Sequence, residues 1–203
     1  MYASSTAVYG VSEEYPDEPL AHDAPLKPHS HYGVYKQANE GTAGVYFRDN
    51  SVSSIGLRPY VVYGAGRDQG MTSTPTKAML AAAAGQPYHI SYGGRYCFQY
   101  GEDTARAFIQ AARADFKGAG VYNIGGDSVS TAEVIEAIEK AEPSARGRVT
   151  YDDIPLPFPP EVDNAALVST IGSLSFTTLA DGVAETMGIF RRALAEGKIK
   201  AEV

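Results

Sequence analysis

Apolar positions along the chain fall into short runs and helical stripes that alternate with one another. Residues 53–60 (SSIGLRPY) form a compact apolar run bounded by turn residues, the mark of a strand covered on both faces. Pro59 ends it, because proline has no amide to donate to a central ladder. Met1 to Ser5 reads as the end of another buried strand. Residues 87–100 (PYHISYGGRYCFQY) alternate aromatic and polar positions about Gly93-Gly94, which predicts two short strands around a turn. Val121 to Ile124 is a further short strand.

Helical spacing and end signals account for most of the remainder. Ser30 reads as the cap of a helix from Tyr32 to Asn50. An Ala-rich helix runs from Thr74 to Ala84 and stops at Gly85, and Asp103 opens a helix to Asp115 that Gly118-Ala119-Gly120 breaks. Thr131 caps a helix with Val134, Ile135 and Ile138 on one face, ending before Pro143. A short helix near Asp163 to Ile171 and an amphipathic one from Leu179 to Glu196 close the chain. Strands alternating with helices predict the α/β class.

The stretches between are informative too. Residues 11–31 are rich in Pro, acid and His and read as an exposed loop. His29 and His31 make a His-x-His pair, but no Cys or carboxylate at fitting spacing completes a metal set, so these and His22 read as solvated and no metal is expected. Residues 154–160 (IPLPFPP) cannot be regular helix; they read either as a docking peptide for another protein or as a linker tucked against the smaller part of the fold. Gly33, Gly41 and Gly44 each cost up to about 1 kcal/mol in a helix interior. Gly41 and Gly44, flanking Ala43, would let another helix approach closely, and tight packing inside one subunit is one way to use them.

Composition narrows the function classes. The 203 residues suffice for one substantial core, or one core with a small lobe. A net charge of −7 with scattered basic residues argues against nucleic acid and anionic membranes as partners. The single cysteine, Cys97, excludes an internal disulfide and suits a reducing compartment. No apolar run is long enough to span a bilayer. A soluble cytoplasmic protein is the expectation.

The chemistry concentrates in one helix and the turn before it. Tyr32 and Lys36, four residues apart, lie one above the other on a helix face. A fixed cation beside a phenol in a partly dry cleft favours the phenolate, and lowering a tyrosine pKa to about 7 requires roughly 4 kcal/mol of differential stabilisation. Ser5 adds a hydroxyl at the carboxyl end of a strand, where open α/β sheets place their ligands.

Three stretches in unbroken order, Ser4-Ser5-Thr6-Ala7-Val8-Tyr9-Gly10, Tyr32-Gly33-Val34-Tyr35-Lys36-Gln37-Ala38-Asn39-Glu40 and Leu57-Arg58-Pro59-Tyr60-Val61-Val62-Tyr63-Gly64, resemble successive motifs of the extended short-chain dehydrogenase/reductase family, the NAD-dependent epimerase/dehydratase group. The resemblance runs from residue 1 to about residue 125 and more loosely beyond. It implies an incomplete Rossmann-like parallel sheet with a small α+β substrate lobe: residues 1–70 as the remainder of the dinucleotide-binding domain, and residues 71–203 mainly as the substrate lobe, with some elements returning to the sheet. It implies that Ser5 hydrogen-bonds the reacting oxygen, that Tyr32 takes or returns its proton, and that Lys36 holds the nicotinamide ribose and tunes Tyr32. Pro59 then lies near the cofactor, NAD or NADP, and the Tyr32 helix packs on its counterpart in a homodimer.

Departures from that pattern shape the expectation further. No strand, Gly-rich turn and helix of the fingerprint spacing is present; residues 64–70, Gly93-Gly94 and Gly125-Gly126 do not match it. The sequence therefore resembles the carboxyl-terminal portion of a longer enzyme, with acid/base apparatus but without most of the cofactor cradle. Where the family's sugar-nucleotide enzymes carry an Asn and an Arg that contact substrate, this chain has Val61 and Tyr96. Neither makes the charge-assisted contact to a diphosphate that Arg makes. Arg95, Arg67 and Arg58 are the cations nearby, and each is equally open to a structural role. Thr6 and Ala7 stand where the dehydratase branch has an acidic pair, so elimination of water lacks its second acid/base.

Two functions follow as expectations. One is an NAD(P)-dependent oxidoreductase or epimerase of a sugar or sugar nucleotide, with Ser5, Tyr32 and Lys36 catalytic and Thr6, Arg67, Arg95 and Tyr96 around the substrate. The other is a catalytically incomplete remnant acting in assembly, since a sheet lacking its first strands leaves an edge and apolar surface uncovered.

Overall fold

A computed structural model of the chain describes residues 1–15 and 19–201; residues 16–18, part of the loop expected from 11 to 31, lie outside the described residues. Three parallel strands make the first sheet, in the order β1 (Tyr2–Ala3), β2 (Ser54–Arg58) and β6 (Ala119–Asn123). Tyr2 pairs with Gly56 and Leu57 with Tyr122. Pairing partners share a face, so Ile55 and Leu57 point one way and Gly56 and Arg58 the other. The Ile55 and Leu57 face packs on Ala107 and Ala111 of α3 (Gly101–Arg113) and Leu167 of α5 (Ala165–Ile171). The Arg58 face meets α1 (His31–Asn50), which completes three layers.

A second sheet continues past Pro59. Here β5 (Arg95–Tyr100) lies between β3 (Val61–Tyr63), parallel to it, and β7 (Ser128–Ser130), antiparallel. The parallel pair β4 (Tyr88–Ile90) and β8 (Val149–Tyr151) forms a third. Helices α2 (Thr74–Ala83), α4 (Thr131–Ala141) and α6 (Leu179–Ala195) close over these strands around Met79, Tyr96, Ile138, Val183 and Met187. Tyr63 stacks on Phe98 with centroids 3.9 Å apart.

Several expectations change. The buried strand expected over Met1 to Ser5 shrinks to two residues at a sheet edge, with Met1 exposed; among the described residues β2 is its one partner strand. The strands flanking Gly93-Gly94 do not pair with each other; Gly93 bridges instead to Pro155, and β4 and β5 join separate sheets. Ser130, not Thr131, caps α4, accepting from the Glu133 amide while Glu133 accepts from the Ser130 amide. The connector is tucked in: Leu156 is buried, Phe158 meets Tyr60 edge to face, and the Pro160 carbonyl accepts from Ser128 Oγ. The loop before α1 is anchored as well, through buried Tyr15 and Leu20.

Candidate functional site

The carboxyl ends of β1 and β2 and the first turns of α1 meet at one place. After β1 the chain makes a short 3₁₀ turn, Thr6–Val8, for which Ser5 Oγ accepts from the Ala7 amide at 3.1 Å. That leaves the Ser5 hydroxyl proton available to a ligand. Thr6 is buried, with its amide on the Pro59 carbonyl at 3.1 Å and its hydroxyl 3.4 Å from the same oxygen. The Ser5 turn is thus fastened to the end of β2.

Helix α1 begins where Ser30 Oγ accepts from the Gly33 amide at 3.1 Å. A Cβ at Gly33 would overlap the Ala7 carbonyl oxygen, so glycine allows the helix to lie directly on the Ser5 turn. Lys36, one turn on, donates from Nζ to the Ala3 carbonyl at 2.8 Å. The same ammonium sits 5.5 Å from the centroid of the Tyr32 ring, and Tyr32 is 55% exposed. A phenol, an ammonium and a serine turn therefore share one side of the sheet edge. Such a group can pass a proton to or from a ligand hydroxyl and hold a vicinal diol.

Behind this surface lies a buried polar cluster that sequence reasoning missed. Arg58 donates from Nε to Glu40 Oε1 and from Nη2 to Glu40 Oε2, each at 2.8 Å, and Ser4 Oγ also donates to Oε1. Arg58 Nη1 donates to the Tyr9 hydroxyl at 2.5 Å and to the His22 carbonyl at 2.6 Å. The Tyr9 hydroxyl donates to Asn123 Oδ1 at 2.8 Å, and Asn123 Nδ2 to the Leu20 carbonyl at 3.1 Å. Burial pushes the Tyr9 phenol up to about 12 against the pull of Arg58 and Asn123, so it stays neutral. Burial works against the Arg58 charge, but Glu40 and Tyr9 outweigh it and raise its pKa. Arg58 is consequently spent on the protein itself and is not a cation for substrate. A carboxylate four residues after Lys36 was the signal, but that spacing equally describes a solvated pair.

Of the remaining predicted residues, Arg95 and Tyr96 sit on β5 of the second sheet and Arg67 in the loop after β3. Arg95 is exposed and borders a cleft of about 370 Å³ with Val11, Ser12, Glu13 and Phe158. Its guanidinium donates to Glu133 Oε2 at 3.0 Å and to the Ser128 carbonyl at 2.5 Å. Arg67 donates to Thr72 Oγ1 at 3.1 Å, and its Nε is buried with no partner among the described residues. Tyr96 belongs to the core: it is 0% exposed, with its hydroxyl 3.2 Å from Thr131 Oγ1. Alternation along β5 turns it inward, which removes it from the residues available to a substrate. Among the described residues no group of three His, Cys, Asp or Glu is placed to hold a metal ion, and no helix is long and apolar enough to cross a membrane.

Comparison with known proteins adds three findings. The model of the NAD dependent epimerase/dehydratase family matches residues 1–125. An uncharacterized protein of Methanocaldococcus jannaschii, MJ1055, is 33% identical over 142 residues, covering 69% of this chain and 42% of the relative. Among solved structures, a partial-consensus L-threonine 3-dehydrogenase superposes with a TM-score of 0.84 at 23% identity, covering 94% of this chain and 65% of that one. MoeE5 in complex with UDP-glucose and NAD superposes with a TM-score of 0.80 at 28% identity, covering 95% and 64%. The fold is Rossmann-like, and the chain spans less than two thirds of each of these relatives.

Proposed function

The chain belongs to the NAD dependent epimerase/dehydratase family, and we propose that it carries the acid/base half of an NAD-dependent oxidoreductase or epimerase acting on a sugar or sugar nucleotide. The observation that carries this reading is the meeting of Lys36 with the Ala3 carbonyl and the Tyr32 ring beside the Ser5 turn. Ser5 orients the reacting hydroxyl with its free proton, Tyr32 takes up or returns the hydroxyl proton, and Lys36 holds the phenol's charge and the ribose diol. MoeE5, 28% identical, was solved with UDP-glucose and NAD, which supports that ligand pair here.

The donor set fits one end of the cofactor. Tyr32, Lys36 and the Pro59 segment would hold the nicotinamide ribose, whereas no strand, glycine turn and helix of the pyrophosphate-binding kind occurs among the described residues. NAD, when bound, supplies the hydride acceptor. The protein's contribution is proton handling and orientation, with residues 1–70 on the cofactor side and residues 71–203 mainly on the substrate side. Arg95 beside the cleft, and Arg67 with its unpartnered Nε, are the cations left to meet a substrate phosphate.

A second reading has an observation of its own. Helix α1 buries Gly33 and Glu40 and exposes Val34, Tyr35, Val45 and Tyr46, while among the described residues β1 has β2 as its one partner strand. That surface suits assembly, either as a homodimer of the enzyme or as the whole role of a catalytically incomplete chain. One pair of measurements separates the readings. Micromolar NAD binding to this chain alone in titration calorimetry would sink the assembly reading; in a full-length version absorbance of the reduced nicotinamide should rise with UDP-sugar present, and Tyr32→Phe should abolish that rise while leaving thermal unfolding unchanged. No heat with NAD favours the assembly role, and unaltered turnover in Tyr32→Phe refutes the acid/base assignment.

A further inference from the structure

The polar cluster behind the Ser5 turn raises a physical question: why a full ion pair occupies a place that hydrophobic side chains could fill. Glu40 is 9% exposed and Arg58 3%. Taking two charges out of water has a desolvation cost that their attraction repays only in part, and apolar pairs of similar volume commonly serve stability as well or better. Direction is what an apolar pair lacks. The Arg58 fork meets both carboxylate oxygens of Glu40 at 2.8 Å, a two-point contact that fixes the carboxylate along the helix axis and around it.

The neighbours of that pair indicate what is being fixed. Glu40 follows Lys36 by four residues and Tyr32 by eight, so all three lie along one stripe of α1. Ser4, which also donates to Glu40, directly precedes Ser5. A slip of α1 by one residue would displace this stripe by about 1.5 Å along the axis and about 100° around it. Lys36 would then leave the Ala3 carbonyl.

We propose that Glu40 and Arg58 are the positioning pair of the Ser5, Tyr32 and Lys36 set: they lock α1 in register with the ends of β1 and β2, and through Ser4 they tie that register to the serine turn. The inference rests on the reading of that set as the acid/base group. Neither residue is catalytic; each acts through the helix. Arg58 extends the same lock to the loop before α1 through the His22 carbonyl.

Trace acetylation of the intact chain, read lysine by lysine through peptide mass spectrometry, reports where Lys36 sits, with exposed Lys117 as internal reference. In the native chain Lys36 should react about fivefold more slowly than Lys117, the factor one net hydrogen bond supplies. The double variant Glu40→Met with Arg58→Met should unfold cooperatively near the native midpoint and yet bring Lys36 to the Lys117 rate. A pair that only stabilises would shift the midpoint and leave the Lys36 rate alone, and a folded double variant with native Lys36 reactivity overturns the proposal. Should the double variant not fold, Ser4→Ala decides instead: a faster Lys36 supports the lock, and an unchanged rate overturns it. Because turnover is not the readout, a native chain without hydride transfer would remove the acid/base reading and leave the lysine result standing.

Discussion

Around α6, Val183, Met187 and Phe190 are buried and join a cluster of apolar and aromatic side chains that runs from β3 to α6. Around α1 the arrangement is reversed. Its inner face presents Glu40 to a buried arginine, and its outer face presents tyrosines and valines to solvent. The first region is held by shape and apolar area, which tolerate small slips; the second is held by a few directional bonds, which do not. That contrast places the precise part of the molecule under the serine turn and the forgiving part under the proposed substrate side.

Cutting the directional bonds one partner at a time should have the largest effect. Glu40→Ala leaves Arg58 buried without its counter-ion, and Arg58→Ala strands Glu40 in the same way, so each is expected to cost about 3–5 kcal/mol in urea unfolding. If either costs no more than a surface pair would, about 1 kcal/mol or less, water reaches the cluster and the contrast between the regions dissolves.

Alkaline titration probes both regions at once. Burial pushes Tyr9, beside α1, and Tyr96, under α4, up to about 12, and it raises Tyr63 and Tyr92 as well. A folded-state pKa above the unfolded value of about 10 leaves stability intact below pH 10, where both states keep the proton. Above that the unfolded chain ionises first, so stability falls until the folded groups titrate too. Each such tyrosine can contribute up to about 3 kcal/mol to the fall between pH 10 and 12. Tyr2 and Tyr15 on the α1 side and Tyr88 and Tyr100 on the α6 side are raised as well, which puts five of the eight on the α6 side, so tyrosine absorbance and amide exchange should show that region opening first. If the α1 region opens first, Arg58 is not holding its surroundings as described.

How much of this was legible beforehand follows the same division. The Ser30 cap and the end of α1 at Asn50 could be read directly, because local bonding sets them. The proposed grouping of Ser5, Tyr32 and Lys36 rests on the same kind of local signal, helix spacing and a strand end. Strand partners could not be read: Gly93-Gly94 looks like a hairpin turn, yet Gly93 lies against Asp152 and Asp153, and the flanking strands find partners far along the chain. Three-residue strands such as β7 and β8 are too short to show alternation. The pairing of Glu40 with Arg58 is not legible, because an acid in a helix and an arginine before a proline look solvated until tertiary packing buries them together, and the burial of Tyr96 is hidden for want of the same information.

The smallest effect sharpens the comparison most, because it asks what covers the outer face of α1. Apart from the adjoining backbone of α1 itself, no atom of the described residues lies within 4 Å of a Cβ built at Gly41 or at Gly44, so packing among them does not require either glycine. Both have ordinary helical backbone, and alanine there should therefore raise helix stability by up to about 1 kcal/mol each if the face stays in water. If two copies bring their α1 helices together at these glycines, the added methyl groups push the backbones apart. The same substitutions would then weaken the dimer in sedimentation experiments while still stabilising the dilute monomer. Opposite signs in the two measurements identify the glycines as an interface feature. Equal gains at every concentration mean that α1 meets no helix there, and the homodimer through this face must be abandoned.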